Sequence, residues 1–188
     1  MRIVGGSLKG KKLLFLKNKT TRPLRDLVKE SVFNTILHSN LIKLEIINSN
    51  ILDVYSGIGS FGLECLSREA SNVLFVENNK EALSILKENI NNLSVANKTK
   101  VYNNDIEVFL RKKNEQNKFD IVFFDPPFDS DYYKDQLVLL KKNNFCNKKN
   151  LIVIHRENKK DDDLSEILNV LLVKEYGRSK IIFGTLIF

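Results

Sequence analysis

The sequence predicts an α/β fold: a doubly wound, mostly parallel sheet that ends in an antiparallel hairpin. Three observations predict it. Short apolar runs alternate with helix-period segments from residue 48 onward, as parallel strands joined by helical crossovers require. Phe119–Phe124 is almost wholly apolar, the mark of a strand covered on both faces. Two strand-like runs near the end, Leu171–Tyr176 and Lys180–Phe188, flank Gly177-Arg178-Ser179, which reads as a hairpin turn.

In chain order, a small first unit spans residues 1–47. Arg2-Ile3-Val4 and Leu13-Leu14-Phe15-Leu16 flank Gly5, Gly6 and Gly10 and predict a β-hairpin with a lysine-bearing loop. Thr21 is a candidate N-cap and Pro23 suits a first helical turn. Leu24, Leu27, Val28, Val32, Ile36 and Leu37 follow at helical spacing, with Arg25 and Lys29 expected on the opposite, solvent side. The larger unit spans 48–188. Its strands are expected at Ile51–Tyr55, Val73–Glu77, Lys100–Asn103, Phe119–Phe124 and Leu151–His155. Its helices are expected at Gly59–Arg68, Lys80–Leu93, Ile106–Lys112, Tyr132–Lys142 and, shorter, Asp163–Asn169.

Composition bounds the function. The 188 residues are 43% hydrophobic and 28% charged, enough for one domain with a small appendage. No apolar run approaches a membrane span, and the first residues lack a secretory pattern, so a soluble, cytoplasmic protein is expected. The two cysteines, Cys65 and Cys146, form no CxxC pair, which argues against a zinc site or disulfide framework; no metal is expected. A net charge of +7 favours a polyanionic partner.

In a doubly wound sheet, ligands sit beyond the carboxyl ends of the strands. The first of those ends reads Asp53-Val54-Tyr55-Ser56-Gly57-Ile58-Gly59-Ser60-Phe61-Gly62. Gly57-x-Gly59-x-x-Gly62 alone fits a dinucleotide fingerprint equally well. Asp53 separates the alternatives: a carboxylate there can hold the ammonium of a methionine moiety but would repel a diphosphate. Its plainer role is to cap the turn. Glu77 ends the second strand and can accept from both ribose hydroxyls. Asp105 is either an N-cap or the acceptor for an adenine amine, with the Ile106 N–H reaching a ring nitrogen. The candidate cofactor set is therefore Asp53, Tyr55, Ser56, Gly57, Gly59, Glu77, Asn78, Asp105 and Ile106.

The sharpest motif is Asp125-Pro126-Pro127-Phe128, directly after the buried strand. The two prolines stiffen the backbone and withhold donors, leaving Asp125 and the Pro126 carbonyl as rigid acceptors. That suits an amino group on a heteroaromatic ring, whose lone pair must be drawn out of conjugation and aimed. Asp125 places negative charge where positive charge develops on the nitrogen, and Phe128 can stack on an unpaired base. A capping Asp beside a surface Phe is the plainer alternative.

Taken together, these stretches resemble the RsmD-type 16S rRNA (guanine-N2)-methyltransferases. The similarity covers nearly the whole chain. It is carried by Arg2-Ile3-Val4-Gly5-Gly6 with Lys9-Gly10-Lys11-Lys12-Leu13, by Arg22-Pro23-Leu24-Arg25-Asp26-Leu27-Val28-Lys29-Glu30-Ser31-Val32-Phe33-Asn34, by the Leu52–Glu64 stretch, by Asp125–Phe128 and by Tyr176-Gly177. The resemblance implies a class I S-adenosylmethionine-dependent, Rossmann-like fold. It also implies S-adenosyl-L-methionine as cofactor and methylation of a guanine N2 amine, the family's guanine 966, in 16S rRNA of an assembling small subunit. His155 departs from the acidic residue expected there, and reads as a solvent-facing strand end.

Arg2, Lys9, Lys11, Lys12, Arg22, Arg25 and Lys29 form the candidate RNA-binding set, clustered ahead of the catalytic unit. A monomer is expected. The competing readings are an amino-methyltransferase acting on adenine N6, a nucleotide-dependent oxidoreductase, and a non-catalytic ribosome-assembly factor. The oxidoreductase leaves Asp53 and the Asp-Pro-Pro-Phe loop without a role.

Overall fold

A computed structural model describes residues 1–15, 26–112, 118–160 and 162–188. Its strands are β1 (Asn50–Val54), β2 (Asn72–Glu77), β3 (Thr99–Asn103), β4 (Phe119–Phe124), β5 (Cys146–Glu157), β6 (Leu168–Tyr176) and β7 (Ser179–Leu186). They form one sheet in the order β3-β2-β1-β4-β5-β7-β6. The first five strands run parallel. β7 inserts antiparallel between β5 and β6 and closes the predicted hairpin. Helices α1 (Asp26–His38), α2 (Ser60–Ser67), α3 (Lys80–Asn92), α4 (Ile106–Leu110) and α5 (Tyr133–Lys142), with a single 3-10 turn at Ala96–Lys98, complete the described elements.

The period-2 alternation of the strands sorts the core into two layers. On one face Ile51, Phe75, Ile121, Phe123, Leu151 and Val153 pack against α2 and α3 through Phe61, Leu63, Leu86 and Ile90. On the other, Leu52, Val54, Val76, Val122, Phe124, Ile152 and Ile154 meet α4 and α5 through Phe109, Tyr133 and Leu137. The central strands are apolar throughout because both faces are covered. The first layer also takes in Ile3, Leu13, Val28, Val32, Phe33 and Ile36 from the N-terminal unit. Phe33 stacks on Phe61 and Phe61 on Phe123, with ring centroids 5.1 and 4.1 Å apart. An aromatic column thus runs from α1 through α2 to the strand that carries Asp125.

Several expectations shift. The N-terminal hairpin is reduced to one antiparallel bridge, Arg2 with Lys12, because its loop docks on α2 instead of extending a ladder. The expected N-cap Thr21, together with Pro23, Leu24 and Leu16, lies outside the described residues. α1 is rotated from the expected face: Leu27 is 77% exposed, whereas Lys29 and Phe33 are fully buried beside Val32 and Ile36. The expected helix at Asp163–Asn169 is a single turn, in which Leu164 O accepts the N–H groups of Ile167 and Leu168. Leu168 then pairs with Leu186 and begins β6. β5 continues past His155 to Glu157 because Arg156 and Glu157 still pair with Lys180 and Ser179. Both cysteines are buried and free, and burial pushes the Cys146 thiol up to about 12.

Candidate active site

The register of the central strands brings the candidate residues together. Asp53 of β1 lies between Phe75 of β2 and Phe123 of β4, and Val54 pairs with Phe124. One residue further, Asp125 N donates to Val54 O at 3.4 Å. The glycine loop after β1 and the Asp-Pro-Pro-Phe loop therefore leave the sheet side by side.

Alternation puts Asp53 on the α2 face, where its Oδ2 accepts the Gly62 N–H at 2.9 Å. The capping role is thus real, and it uses one oxygen. Asp53 is 1% exposed. Burial pushes its carboxyl well above the usual carboxylate range, and the negative charges of Asp125 and Glu77 push the same way. Only the Gly62 N–H opposes them. A buried carboxyl between two other carboxylates is a place where a cation binds favourably.

The loop conformation is fixed by tight approaches. Gly59 sits at φ 84°, and a Cβ there would lie 2.4 Å from Leu86 Cδ1. Around Gly57, by contrast, an added Cβ would meet nothing within 4 Å, so the loop borders open space. Tyr55 holds φ 58°, an uncommon conformation for a bulky residue. Its hydroxyl donates to Gln136 Oε1 of α5 at 2.8 Å, tying the loop start to the far layer. Buried Ser56 donates its backbone N–H to Val76 O, and Gly57 N donates to Glu77 Oε2 at 2.7 Å. Glu77 Oε1 accepts from Asn78 and Asn79, so the carboxylate is locked at the mouth of β2. Asn78 is exposed beside it. Asp105 Oδ1 caps α4 through the Glu107 N–H at 2.7 Å. The second oxygen is the one that can serve a ligand. Ile106 is buried at the helix start.

On the other side of the site, Pro126 is buried and Phe128 is half-buried. Two residues of β5 hold this loop: His155, expected to face solvent, and Arg156, which the sequence analysis does not single out. His155 is 8% exposed, and its Nδ1 lies 2.8 Å from Asp125 Oδ1. Its ring meets Phe128 edge-on at 5.2 Å. The expectation of a solvent-facing His155 is therefore corrected: because β5 runs on to Glu157, residue 155 lies within the covered sheet beside Asp125. Arg156 points to the opposite face and is fully buried. It donates to Pro127 O at 3.2 Å and to Asp162 Oδ1 at 3.2 Å, pairs with Asp131 at 3.3 Å, and lies 4.4 Å over the Tyr133 ring. Tyr133 donates to Asp162, and Lys180 Nζ stands 3.1 Å from Asp162 Oδ2. Burial raises the Asp162 carboxyl, but these donors outweigh it and hold the group below its usual range. The sequence signal for both residues was their parity: two successive polar residues continuing an apolar strand must face opposite layers, and each needs a buried partner.

Among the expected RNA contacts, Arg2, Lys9, Lys11 and Lys12 are exposed on the N-terminal loop. That loop is anchored by Ser67: Ser7 N donates to Ser67 O, and Leu8 N to Ser67 Oγ. Gly6 permits this approach, since a Cβ there would lie 1.9 Å from Ser67 O. Arg22 and Arg25 lie outside the described residues. Lys29 is a correction. It is buried, its Nζ donating to Arg2 O at 2.6 Å and to Ser60 Oγ at 3.3 Å, with Glu64 at 3.7 Å. It cannot meet RNA, because α1 turns this face onto the start of α2.

A family model described as Conserved hypothetical protein 95 matches residues 1–185. Ribosomal RNA small subunit methyltransferase D of Haemophilus influenzae is 36% identical over 176 residues, covering 93% of this chain and 87% of that protein. The chain belongs to the RsmD-type methyltransferase family. The solved structure of yhhF from Escherichia coli superposes on this RsmD-type chain with a TM-score of 0.85 at 27% identity, covering 99% of this chain and 97% of that one. That of HI0767 from Haemophilus influenzae gives 0.81 at 31% identity, covering 100% and 98%. The class I, Rossmann-like methyltransferase fold expected from the sequence is the fold observed.

S-adenosyl-L-methionine is the cofactor of such RsmD-type enzymes, and the residues present fit it. The buried Asp53 carboxyl favours a cationic group, the space beside Gly57 admits a ligand, and Glu77 and Asp105 present acceptors at the next two strand ends. Among the described residues, no cluster of His, Cys, Asp or Glu is arranged to hold a metal ion, and no helix is long and apolar enough to cross a membrane.

Proposed function

We propose that this protein transfers a methyl group from S-adenosyl-L-methionine to the N2 amine of a guanine in 16S rRNA, the family's guanine 966, within an assembling small ribosomal subunit. In this reading it acts as a cytoplasmic monomer. The observation that carries the reading is the juxtaposition of Asp53 and Asp125 at adjacent strand ends, joined by the Asp125 N–H to Val54 O bond. The name of the Haemophilus relative supports the ribosomal RNA substrate.

When bound, the cofactor supplies an electrophilic methyl group on a sulfonium. The chain's residues do the rest. Asp53 holds the ammonium end, Glu77 the ribose hydroxyls, Asp105 and the Ile106 N–H the adenine. Tyr55, Ser56, Gly57, Gly59 and Asn78 shape the loop around them. Asp125 and the Pro126 carbonyl accept the two N–H bonds of the base amine and so aim its lone pair. Asp125 also faces the charge that develops on nitrogen and takes up the proton released afterwards. Pro127 withholds a competing donor, and Phe128 stacks on the base. Arg2, Lys9, Lys11 and Lys12 grip phosphates, with Arg22 and Arg25 as further candidates.

The test is methyl transfer from labelled cofactor to small ribosomal subunits, deproteinised 16S rRNA and a DNA duplex, followed by nucleoside analysis. N2-methylguanosine in 16S rRNA is the expected product, and the ratio of subunit to naked RNA reports which form is recognised. Methyladenine would overturn the base assignment and leave the active-site reading intact. No transfer to any of the three would overturn the substrate class.

A further inference from the structure

Asp125 is positioned by a side chain outside its own loop. β4 and β5 pair in parallel with Phe124 opposite Ile154, so the next residues, Asp125 and His155, leave the pair together on the α2 face. The Nδ1–Oδ1 distance of 2.8 Å is that of a full hydrogen bond. An ionised carboxylate only accepts, so Nδ1 carries the proton. His155 is 8% exposed, and the hydrogen bond it makes among the described residues is to Asp125. A buried imidazole at the end of an apolar run needs such a partner. The same ring is edge-on to Phe128, the residue next to the proline pair.

We infer that His155 is a positioning residue for the base amine: its Nδ1–H fixes Asp125 through Oδ1 and leaves Oδ2 to face the amine, while its ring edge sets the plane of Phe128. The inference rests on the role given to Asp125 above. Without the histidine, Asp125 keeps, among the described residues, its backbone bond to Val54 and can rotate its carboxylate about the side chain. An acceptor that rotates out of line costs alignment in the transition state but little ground-state binding. The Arg156 bond to Pro127 O holds the far end of the loop from the opposite face, so the two β5 residues divide the work. Arg156 fixes the backbone, and His155 fixes the acceptor and the stacking ring.

The experiment compares wild type, His155→Phe, His155→Asn, His155→Gln and Asp125→Ala on small ribosomal subunits. It measures kcat, KM for RNA, affinity for S-adenosylhomocysteine and thermal midpoint. Imidazole nitrogen shifts of wild type and Asp125→Ala give a readout independent of turnover. His155→Phe keeps ring volume without a donor, and is expected to lower kcat roughly 10- to 100-fold while KM and cofactor affinity hold. His155→Asn places an amide N–H where Nδ1 stands and is expected to restore most of kcat. His155→Gln, whose amide falls at the Nε2 position, is not. The Asn and Gln pair decides the matter even if the Phe variant fails to fold. Wild type is expected to show the Nδ1–H tautomer, lost in Asp125→Ala. Full kcat in His155→Gln beside an inactive Asp125→Ala would overturn the inference and leave Asp125 in place. So would an Nε2–H tautomer in wild type. Full kcat in Asp125→Ala would instead overturn the reading of Asp125 itself, and the inference with it.

Discussion

Lys29 Nζ lies 3.7 Å from Glu64 Oε2, and neither side chain has any contact with solvent. Glu64 also accepts the N–H groups of Val4 and Gly5 at 2.8 and 2.7 Å and pairs with Arg68 at 3.1 Å. Lys29 in turn reaches Arg2 O and Ser60 Oγ. One buried ion pair thus joins the N-terminal loop, α1 and the first residue of α2, directly behind the cofactor loop. Burial lowers the Lys29 pKa from its ordinary value, while Glu64 and Asp26 oppose that shift. Lys29→Ala strips a buried carboxylate of one partner and is expected to cost about 3 kcal/mol of stability. Denaturant unfolding reads that loss. Below the transition, RNA affinity and its salt slope should match wild type. A lower salt slope with unchanged stability would return Lys29 to the RNA-contacting set.

Asp53 makes the cofactor-free protein pH-sensitive. Its folded carboxyl titrates above the unfolded one, so the folded state binds the extra proton. The stabilising contribution is present below the ordinary carboxylate range and is lost as pH rises from there through the raised value. The ionised form is a liability in the empty site until a cation joins it. Asp53→Asn keeps an acceptor for the Gly62 N–H. It is expected to raise the melting midpoint of the free protein at pH 7 and to abolish measurable binding of S-adenosylhomocysteine. Calorimetry of the wild type over a pH series should show binding enthalpies that vary with buffer ionisation wherever the free protein holds this proton, because the group gives it up on binding. A variant with a lower midpoint and intact binding would reduce Asp53 to a turn cap.

The parts legible in sequence were those set by short-range pattern. The seven strands follow from runs and breaks. The strand-end positions of Asp53, Glu77, Asp105 and Asp125 follow from the rule that ligands meet the carboxyl edge. Register and parity were harder. Lys29 was placed on the solvent side because Leu24, Leu27 and Val28 centred the apolar stripe too far round the helix. The buried stripe centres on Val28, Val32 and Ile36, flanked by Lys29 and Phe33, and a buried lysine is visible only once Glu64 is known to face it. A strand that ends at His155 leaves out Arg156 and Glu157, whose pairing with β7 puts His155 inside the sheet. Gln136 has no local signature, since its partner Tyr55 lies 81 residues away, and the parity that marks Arg156 as buried does not point to Pro127, 29 residues earlier.

The exposed lysines of the N-terminal loop can be removed without touching the core. Lys9, Lys11 and Lys12 are exposed, while the loop's anchors are Ser67 and Glu64. Replacing all three by Ala is expected to leave the melting midpoint and cofactor affinity unchanged. RNA affinity should fall, and the slope of log affinity against log salt should flatten by about 2 units if all three meet phosphates of single-stranded RNA. Filter binding over a salt series checks this. An unchanged slope would move the RNA-facing surface elsewhere.

Arg156 bonds both to the Asp-Pro-Pro-Phe loop and to a buried carboxylate. Its guanidinium serves Pro127 O, Asp131 and Asp162 at once, in a fork that a lysine ammonium cannot reproduce. Arg156→Met leaves Asp162 with Tyr133 and Lys180 as donors and is expected to destabilise the fold by about 3 kcal/mol. It frees the Pro127 carbonyl as well, so kcat should fall in the folded enzyme. Arg156→Lys should recover little of either. Adding Asp162→Asn to Arg156→Met removes the carboxylate left with one cationic partner, Lys180, and should restore part of the stability, but none of the turnover, because the bond to Pro127 is still missing. Double-mutant unfolding together with turnover assays separates the two roles. Turnover that returned along with stability would mean the loop is held by the buried cluster as a whole rather than by the Arg156–Pro127 bond.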